Sequence, residues 1–190
     1  LWRRNDVDGA RAVFRKVSPK LRTAALHHVM IHEHARRGEI REAMAYFGDL
    51  KALHERFADA DAVAHSRGAQ GPGDHLAPSV ATFTTLLSAL TKAYEDAVAG
   101  KASEAIRRSM ADMVEQVKSA RLHPSSFTAS IEQVWLDMRE RGVEPGLQTY
   151  IVMRRFYTAV GDSQRAAWAN AQFDALGDGK GQESAQMRYN

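Results

Sequence analysis

Hydrophobic positions recur along this chain at three- and four-residue intervals, the spacing that puts them on one face of an α-helix. Ile40, Ala43, Met44, Phe47, Leu50 and Leu53 make the clearest run, within the stretch RRGEIREAMAYFGDLK. A turn at Gly38 precedes it, and the pattern predicts a helix over Glu39 to Phe57. Thirty-three residues earlier the layout repeats, with a turn at Asn5, Ala10 in the place of Ala43 and Phe14 in that of Phe47. A third version follows Gly161, with Ala166 in the small-residue place. Recurrence of one helix start points to an array of helical hairpins.

Taken in order, the pattern predicts a helix from Asp6 to Val17, with Ala10, Val13, Phe14 and Val17 facing a core. Ser18-Pro19 stops it, because proline disfavours a helical residue before it. A helix from about Arg22 to Arg36 buries Leu26, Val29, Met30 and Ala35, and Glu39–Phe57 is its antiparallel partner. Residues 59–77, rich in Ala, Gly, Asp and His, read as a loop insertion. Pro78 and Ser79 then open a helix through about Val98. A turn at Gly100 leads to a second helix around Ala105, so Val80 to Ser125 reads as one enlarged hairpin. Ser126 to Arg141 forms a lone amphipathic helix with Ile131, Val134, Trp135 and Met138 inward. Leu147–Val160 and Ser163–Leu176 make a last hairpin, and residues 177–190 a polar tail.

The expected organisation is therefore all-α: a helical array over residues 1–176 followed by the tail. Its parts are a partial unit at 1–20, a unit at 21–58, the insertion at 59–77 and the enlarged unit at 78–125. A degenerate single-helix unit at 126–146 and a complete unit at 147–176 follow. Composition adds little against this. With 44% hydrophobic and 26% charged residues, the chain of 190 is that of an ordinary globular protein. It has no cysteine, which excludes disulfides and thiolate sites, and no apolar run approaches the roughly 20 residues that span a bilayer. The net charge of +3 permits a polyanionic partner without demanding one. The chain starts Leu-Trp-Arg-Arg, late in a hairpin, and is expected to be part of a longer protein whose targeting peptide is out of view.

Three proline turns stand just before helices, in LAPSV, LHPSS and VEPGL. With RRGEIREAMAYF and DMRERGVEPGLQTYIVM they resemble the pentatricopeptide repeat family, whose unit is a pair of helices about 35 residues long. Met138, Gly142, Val143, Pro145, Thr149 and Tyr150 fit that family's junction between repeats, and Pro78, Thr82 and Phe83 fit it again. The resemblance covers roughly Leu1 to Leu176 and departs from the pattern at the insertion, the enlarged unit and the single helix. It implies an α-solenoid, a right-handed superhelix of stacked antiparallel pairs, whose first helices line a concave face and read RNA one base per repeat. The readers it implies are His28, Thr84 and Ile151, with turn partners Ser79, Ser125 and Gly146. Ile151 and Gly146 have no group to hydrogen-bond a base, which leaves Thr84 with Ser125 as the one conventional pair and His28 with Ser79 off-pattern.

Arginine doublets at Arg3-Arg4, Arg36-Arg37, Arg107-Arg108 and Arg154-Arg155 suit phosphates, and equally suit helix ends and solvated faces. His28 and His32 share a helix face as zinc ligands can, but no third ligand or general base accompanies them, so no metal is expected. No phosphate-cradling glycine loop and no nucleophile elbow is present, and Trp135, Trp168, Phe47 and Phe173 are at core spacing. An enzyme, a cofactor, a small-molecule substrate and a membrane are accordingly not expected. The resemblance implies RNA and protein neighbours as partners and a mitochondrial location, with a plastid as the alternative. Its most concrete form is a structural protein of an organellar ribonucleoprotein, such as a mitochondrial ribosomal protein. Two alternatives stand beside it: a sequence-specific organellar RNA processing, editing or translation factor, and a tetratricopeptide-like protein scaffold without RNA.

Overall fold

A computed structural model of the chain describes residues 7–18, 22–66, 76–115 and 125–186. Among these the structure is all-helical: α1 (Val7–Lys16), α2 (Ala24–Arg36), α3 (Ile40–Ser66), α4 (Val80–Val98), α5 (Glu104–Glu115), α6 (Ser125–Glu140), α7 (Leu147–Ala159) and α8 (Ser163–Gln186). Short polar side chains start several of them by accepting an orphan backbone N–H. Thr23 accepts from Leu26 at 3.3 Å, Ser103 from Ile106 at 3.3 Å and Asp162 from Arg165 at 2.9 Å. α2 ends at a tight reversal in which Glu39 N–H reaches back to the His34 carbonyl at 3.0 Å. Gly38 sits between them at φ 74°, a backbone that side-chain-bearing residues adopt only under strain. The same six-residue closure recurs at Lys101–Asp96, Val143–Met138 and Asp162–Tyr157.

Two expected boundaries move. α3 continues to Ser66, so the first eight residues of the expected 59–77 insertion are helical, and Leu76 at its end is buried. α8 likewise continues through residues 177–186 of the expected tail. The expectations placed on residues 1–6, 19–21 (the Pro19 stop), 67–75, 116–124 and 187–190 lie outside the described residues.

The larger correction concerns pairing. α2 packs on α3 and α7 on α8, as chain neighbours joined by short turns. The main partner of α4 is α6, whereas the sequence pattern pairs α4 with the helix that follows Gly100. That next helix, α5, packs instead on α3 and α6. The expected enlarged unit and lone helix are thus one pair, α4 with α6, and α5 lies in the connection between them. Burial explains the choice. α6 contributes Phe127, Ile131, Val134, Trp135 and Met138 to the core, all at 8% exposure or less. The described side chains of α5 bury only Ile106 and Ser109. Each large apolar side chain removed from water stabilises by about 1.5–3 kcal/mol, so α6 outcompetes α5 for the face of α4.

α2, α4 and α7 lie side by side, with α4 in the middle. Their inner faces and those of α3 and α6 form one core around Phe47, Phe83, Leu87, Phe127, Met153 and Phe156. A smaller cluster of Ala10, Phe14 and Met30 seats α1. Val13 and Val29, expected in the core, are exposed at 42% and 41%, because α1 offers α2 only a narrow stripe through Ala10 and Phe14. Charged pairs stitch the second helices together: Lys51 of α3 to Asp137 of α6, Glu55 to Arg141 at 2.5 Å, and Glu132 of α6 to Arg165 of α8 at 2.5 Å.

Candidate binding groove

The row of first helices leaves a groove of about 970 Å³ along α4. Its floor is one face of that helix, where Ala81, Thr84, Thr85, Ser88, Ala89 and Lys92 follow at three- and four-residue steps. From Val80 to Asp96 this floor runs about 24 Å at 1.5 Å per residue. At the far end of α4 the wall is the end of α2, with His32, Arg36 and Arg37, and the start of α5, with Ser103 and Ile106. At the near end the wall is the start of α7, Gly146 to Thr149.

Each end has a physical reason to favour negative charge. Arg36, Arg37 and Lys92 stand against one lining carboxylate, Asp96, which Lys92 engages at 2.7 Å. Arg36 also pairs with Glu33 at 3.2 Å, on the rim rather than in the groove. At the other end α7 begins at Gly146, which caps with no side chain. The first N–H groups of that helix have no carbonyl within the helix to bond, and the helix dipole makes this end positive. Hydroxyls dominate between the two ends, and among the described lining residues the only ring is that of His32.

The reader positions implied by the family resemblance separate into three groups. Thr84 lies in the groove, but its hydroxyl donates to the Val80 carbonyl at 2.8 Å and meets the buried Thr149 hydroxyl at 2.8 Å. One lone pair remains, so Thr84 can accept a hydrogen bond from a ligand and has no proton left to give. Gly146 lines the groove beside it. His28 and Ser79 are brought together elsewhere, both on the buried hydroxyl of Thr82, at 3.4 and 3.2 Å. Burial, followed by the neighbouring His32, lowers the His28 pKa. Ser79 is spent as the cap of α4, accepting the Thr82 N–H at 3.4 Å. Ile151 is half-buried. Ser125 opens α6, and its side chain lies outside the described set.

The arginines divide as well. Arg36 and Arg37 line the groove, while Arg154 and Arg155 do not. Arg154 donates to Asn170 on α8 at 2.7 Å, and Arg155 grips both oxygens of Glu95 at 2.7 and 2.5 Å, tying α7 to α4. That fork holds the Arg155 pKa above its ordinary value. Sequence reasoning missed Ser88 and Lys92, although Thr84, Ser88 and Lys92 stand at i, i+4 and i+8 and so share a face. It also missed Thr149, which was read only as part of a repeat junction. Among the described residues no cluster of three metal-ligating side chains occurs, and the His28 and His32 rings stand 6.4 Å apart. No described helix is long and apolar enough to cross a membrane. No protein-family model and no curated protein matches the chain.

Proposed function

We propose that this chain is an RNA-associated helical-repeat protein, an α-solenoid that serves as a structural part of a ribonucleoprotein. The groove along α4 is its RNA-facing surface, and it holds the phosphate backbone rather than reading bases. The observation that carries this reading is the pairing of Arg36, Arg37 and Lys92 at one end with the uncapped start of α7 at the other. Phosphate contacts of this kind position a strand without carrying sequence information. Base readout needs free donors and acceptors or stacking rings. The Thr84 hydroxyl is already engaged, and the described lining offers no ring but His32 on which a base could stack. The resemblance to pentatricopeptide repeats supports the organellar setting, with a mitochondrial ribosome as its concrete form.

Filter binding of single-stranded RNAs across a salt series tests this. Unrelated sequences should bind alike, with affinity falling as salt rises by about 0.7 log units per log unit of salt for each phosphate neutralised. Replacing Arg36 and Arg37 together by alanine should shallow that slope by roughly 1.4, two contacts' worth. Salt-independent binding, or none, would refute the reading. A second reading, a protein scaffold without RNA, is favoured by the small-residue floor of Ala81, Ala89 and Ala93, which allows a helix to approach closely. Co-purification of a protein partner that survives nuclease treatment and high salt would select it.

A further inference from the structure

The seat of α1 contains a feature that the groove does not use. Four rings run from α1 through the α2–α3 hairpin. Phe14 of α1 meets His27 edge-on at 5.1 Å and Tyr46 of α3 at 5.0 Å, and Tyr46 stacks on His34 at 5.2 Å. Both histidines are fully buried. Each uses Nδ1, His27 toward the Thr23 carbonyl at 2.9 Å and His34 toward the Glu39 carboxylate at 2.6 Å. Since a carbonyl only accepts, His27 Nδ1 must be the protonated nitrogen. Its Nε2 is then a bare lone pair, buried and without a hydrogen-bond partner.

His34 Nε2 is likewise buried without a partner, so the two sites differ only in the charges around them. His34 faces a carboxylate that can balance an added charge, and Glu39 also reaches Arg11 of α1 at 3.6 Å. Among the described residues, His27 has no such counter-ion in contact. Phe14 from α1 packs on it, and Asp49 from α3 and Arg22 from the segment before α2 act on it electrostatically. Arg22 lies over the Phe14 ring at 4.3 Å and donates to the Val17 carbonyl at 3.2 Å, so it is fixed in place by α1 itself. A proton on His27 Nε2 would be a buried donor without an acceptor, on a cation beside another cation.

We infer that His27 is a proton-sensitive latch for α1: the neutral ring seats the helix on the α2–α3 hairpin, and protonation releases it. Release hydrates Nε2, moves Arg22 away with the end of α1, and uncovers the apolar strip of Phe14 and Met30. Burial lowers the His27 pKa from 6.5, with Arg22 adding to it and the Thr23 carbonyl and Asp49 opposing it. The unseated state therefore binds the extra proton first. Docking is at full strength above pH 6.5 and weakens as pH falls from there toward the lowered value, by up to about tenfold per pH unit for one proton. This latch is independent of whether the groove holds RNA.

Amide hydrogen exchange on the 190-residue chain at pH 7.5 and 5.5, corrected for intrinsic rates, reads it directly. Protection of Ala10 to Val17 should fall up to tenfold at the lower pH, while α7 amides keep theirs. Protection of α1 that does not change with pH would overturn the latch. In His27→Leu, which keeps the ring site apolar, the pH dependence should vanish; its persistence would assign the effect to another group. If that variant does not fold, imidazole ¹⁵N resonances of the unmodified protein decide. An Nδ1–H tautomer titrating below 6.5 supports the latch, and titration at or above 6.5 refutes it.

Discussion

The α2–α3 and α4–α6 pairs solve the same packing problem with different connections. Between α2 and α3 the chain turns within Arg37, Gly38 and Glu39. Between α4 and α6 it travels through α5 and residues 116–124, yet α6 still takes the place beside α4 that α3 takes beside α2. Connectivity is therefore not what pairs these helices. A continuous apolar face is, and α6 presents five buried apolar side chains where the described part of α5 presents one. The cost of closing a longer loop grows only logarithmically, about 0.6 kcal/mol per doubling, and a single buried phenylalanine outweighs it.

The comparison breaks most sharply at the core of the interrupted pair. Phe127→Ala in α6 should cost about 3–5 kcal/mol in chemical denaturation, as should Phe83→Ala in α4, and both should lower hydrogen-exchange protection across α4. Ile106→Ala in α5 should cost about 2 kcal/mol, the low end for a buried isoleucine, and leave α4 protection unchanged, since Ile106 packs against Gly38 of the α2–α3 turn. An Ile106 effect as large as that of Phe127, spread over α4, would show that α5 is the true partner.

The turn itself gives the next test. Gly38 and Gly161 have nearly the same positive φ, 74° and 79°. An added Cβ at Gly161 meets open space, whereas at Gly38 it meets Ile106 Cγ1 at 3.0 Å. Gly161→Ala should cost about 1–2 kcal/mol from the left-handed backbone alone, and Gly38→Ala about 1 kcal/mol more from crowding against α5. The extra cost should disappear in a Gly38→Ala, Ile106→Ala double variant. If it persists, α5 does not press on that turn.

Much of this was readable from residues, for reasons that also explain the misses. Glycines at 38, 100, 142 and 161 mark helix ends because the reversal needs a positive φ, a strictly local demand. Helix periodicity is local too, so Leu147–Val160 is expected where α7 spans Leu147–Ala159. Pairing is not local. The pattern of α5 shows that it has an apolar face but not that a later helix fills the space beside α4 better. The groove was half legible for the same reason. Thr84, Arg36 and Arg37 were named from their places in a repeat, while Lys92 and Thr149 matter only because α4 lies between α2 and α7. His27 and His34 were passed over because histidine has no strong preference for core or surface, and only packing reveals them as core.

The link between α3 and α6 is a third test of whether the interrupted pair is held like the others. Asp137 accepts from both Lys51 and Gln133, and although burial pushes its carboxyl up, those hydrogen bonds outweigh it and the pKa is lowered from 3.8. A depressed carboxyl stabilises the fold above its unfolded pKa and loses that contribution as pH falls through the lowered value. Asp137→Asn should therefore cost about 1–2 kcal/mol at pH 7 and progressively less below pH 4. A cost that does not change with pH would mean that shape, not charge, joins the two second helices.

The smallest effect belongs to the first helices. Arg155 and Glu95 form a two-point ion pair between α7 and α4, but the arginine is 46% exposed and the carboxylate 32%. Water and salt screen such a pair, and ordering two long side chains offsets part of its attraction, so Arg155→Ala should cost no more than about 1 kcal/mol. Its value as a test lies in contrast with Arg36 and Arg37. All three are exposed arginines, but Arg155 points to Glu95 of α4, whereas Arg36 and Arg37, at the end of α2, line the groove. Removing Arg155 should thus shift thermal stability slightly, more at low salt than high, and leave the salt slope of RNA binding unchanged. Removing Arg36 and Arg37 should shallow that slope. Equal slopes for the two variants would mean that RNA follows general surface charge, and that the groove along α4 has no special part in holding it.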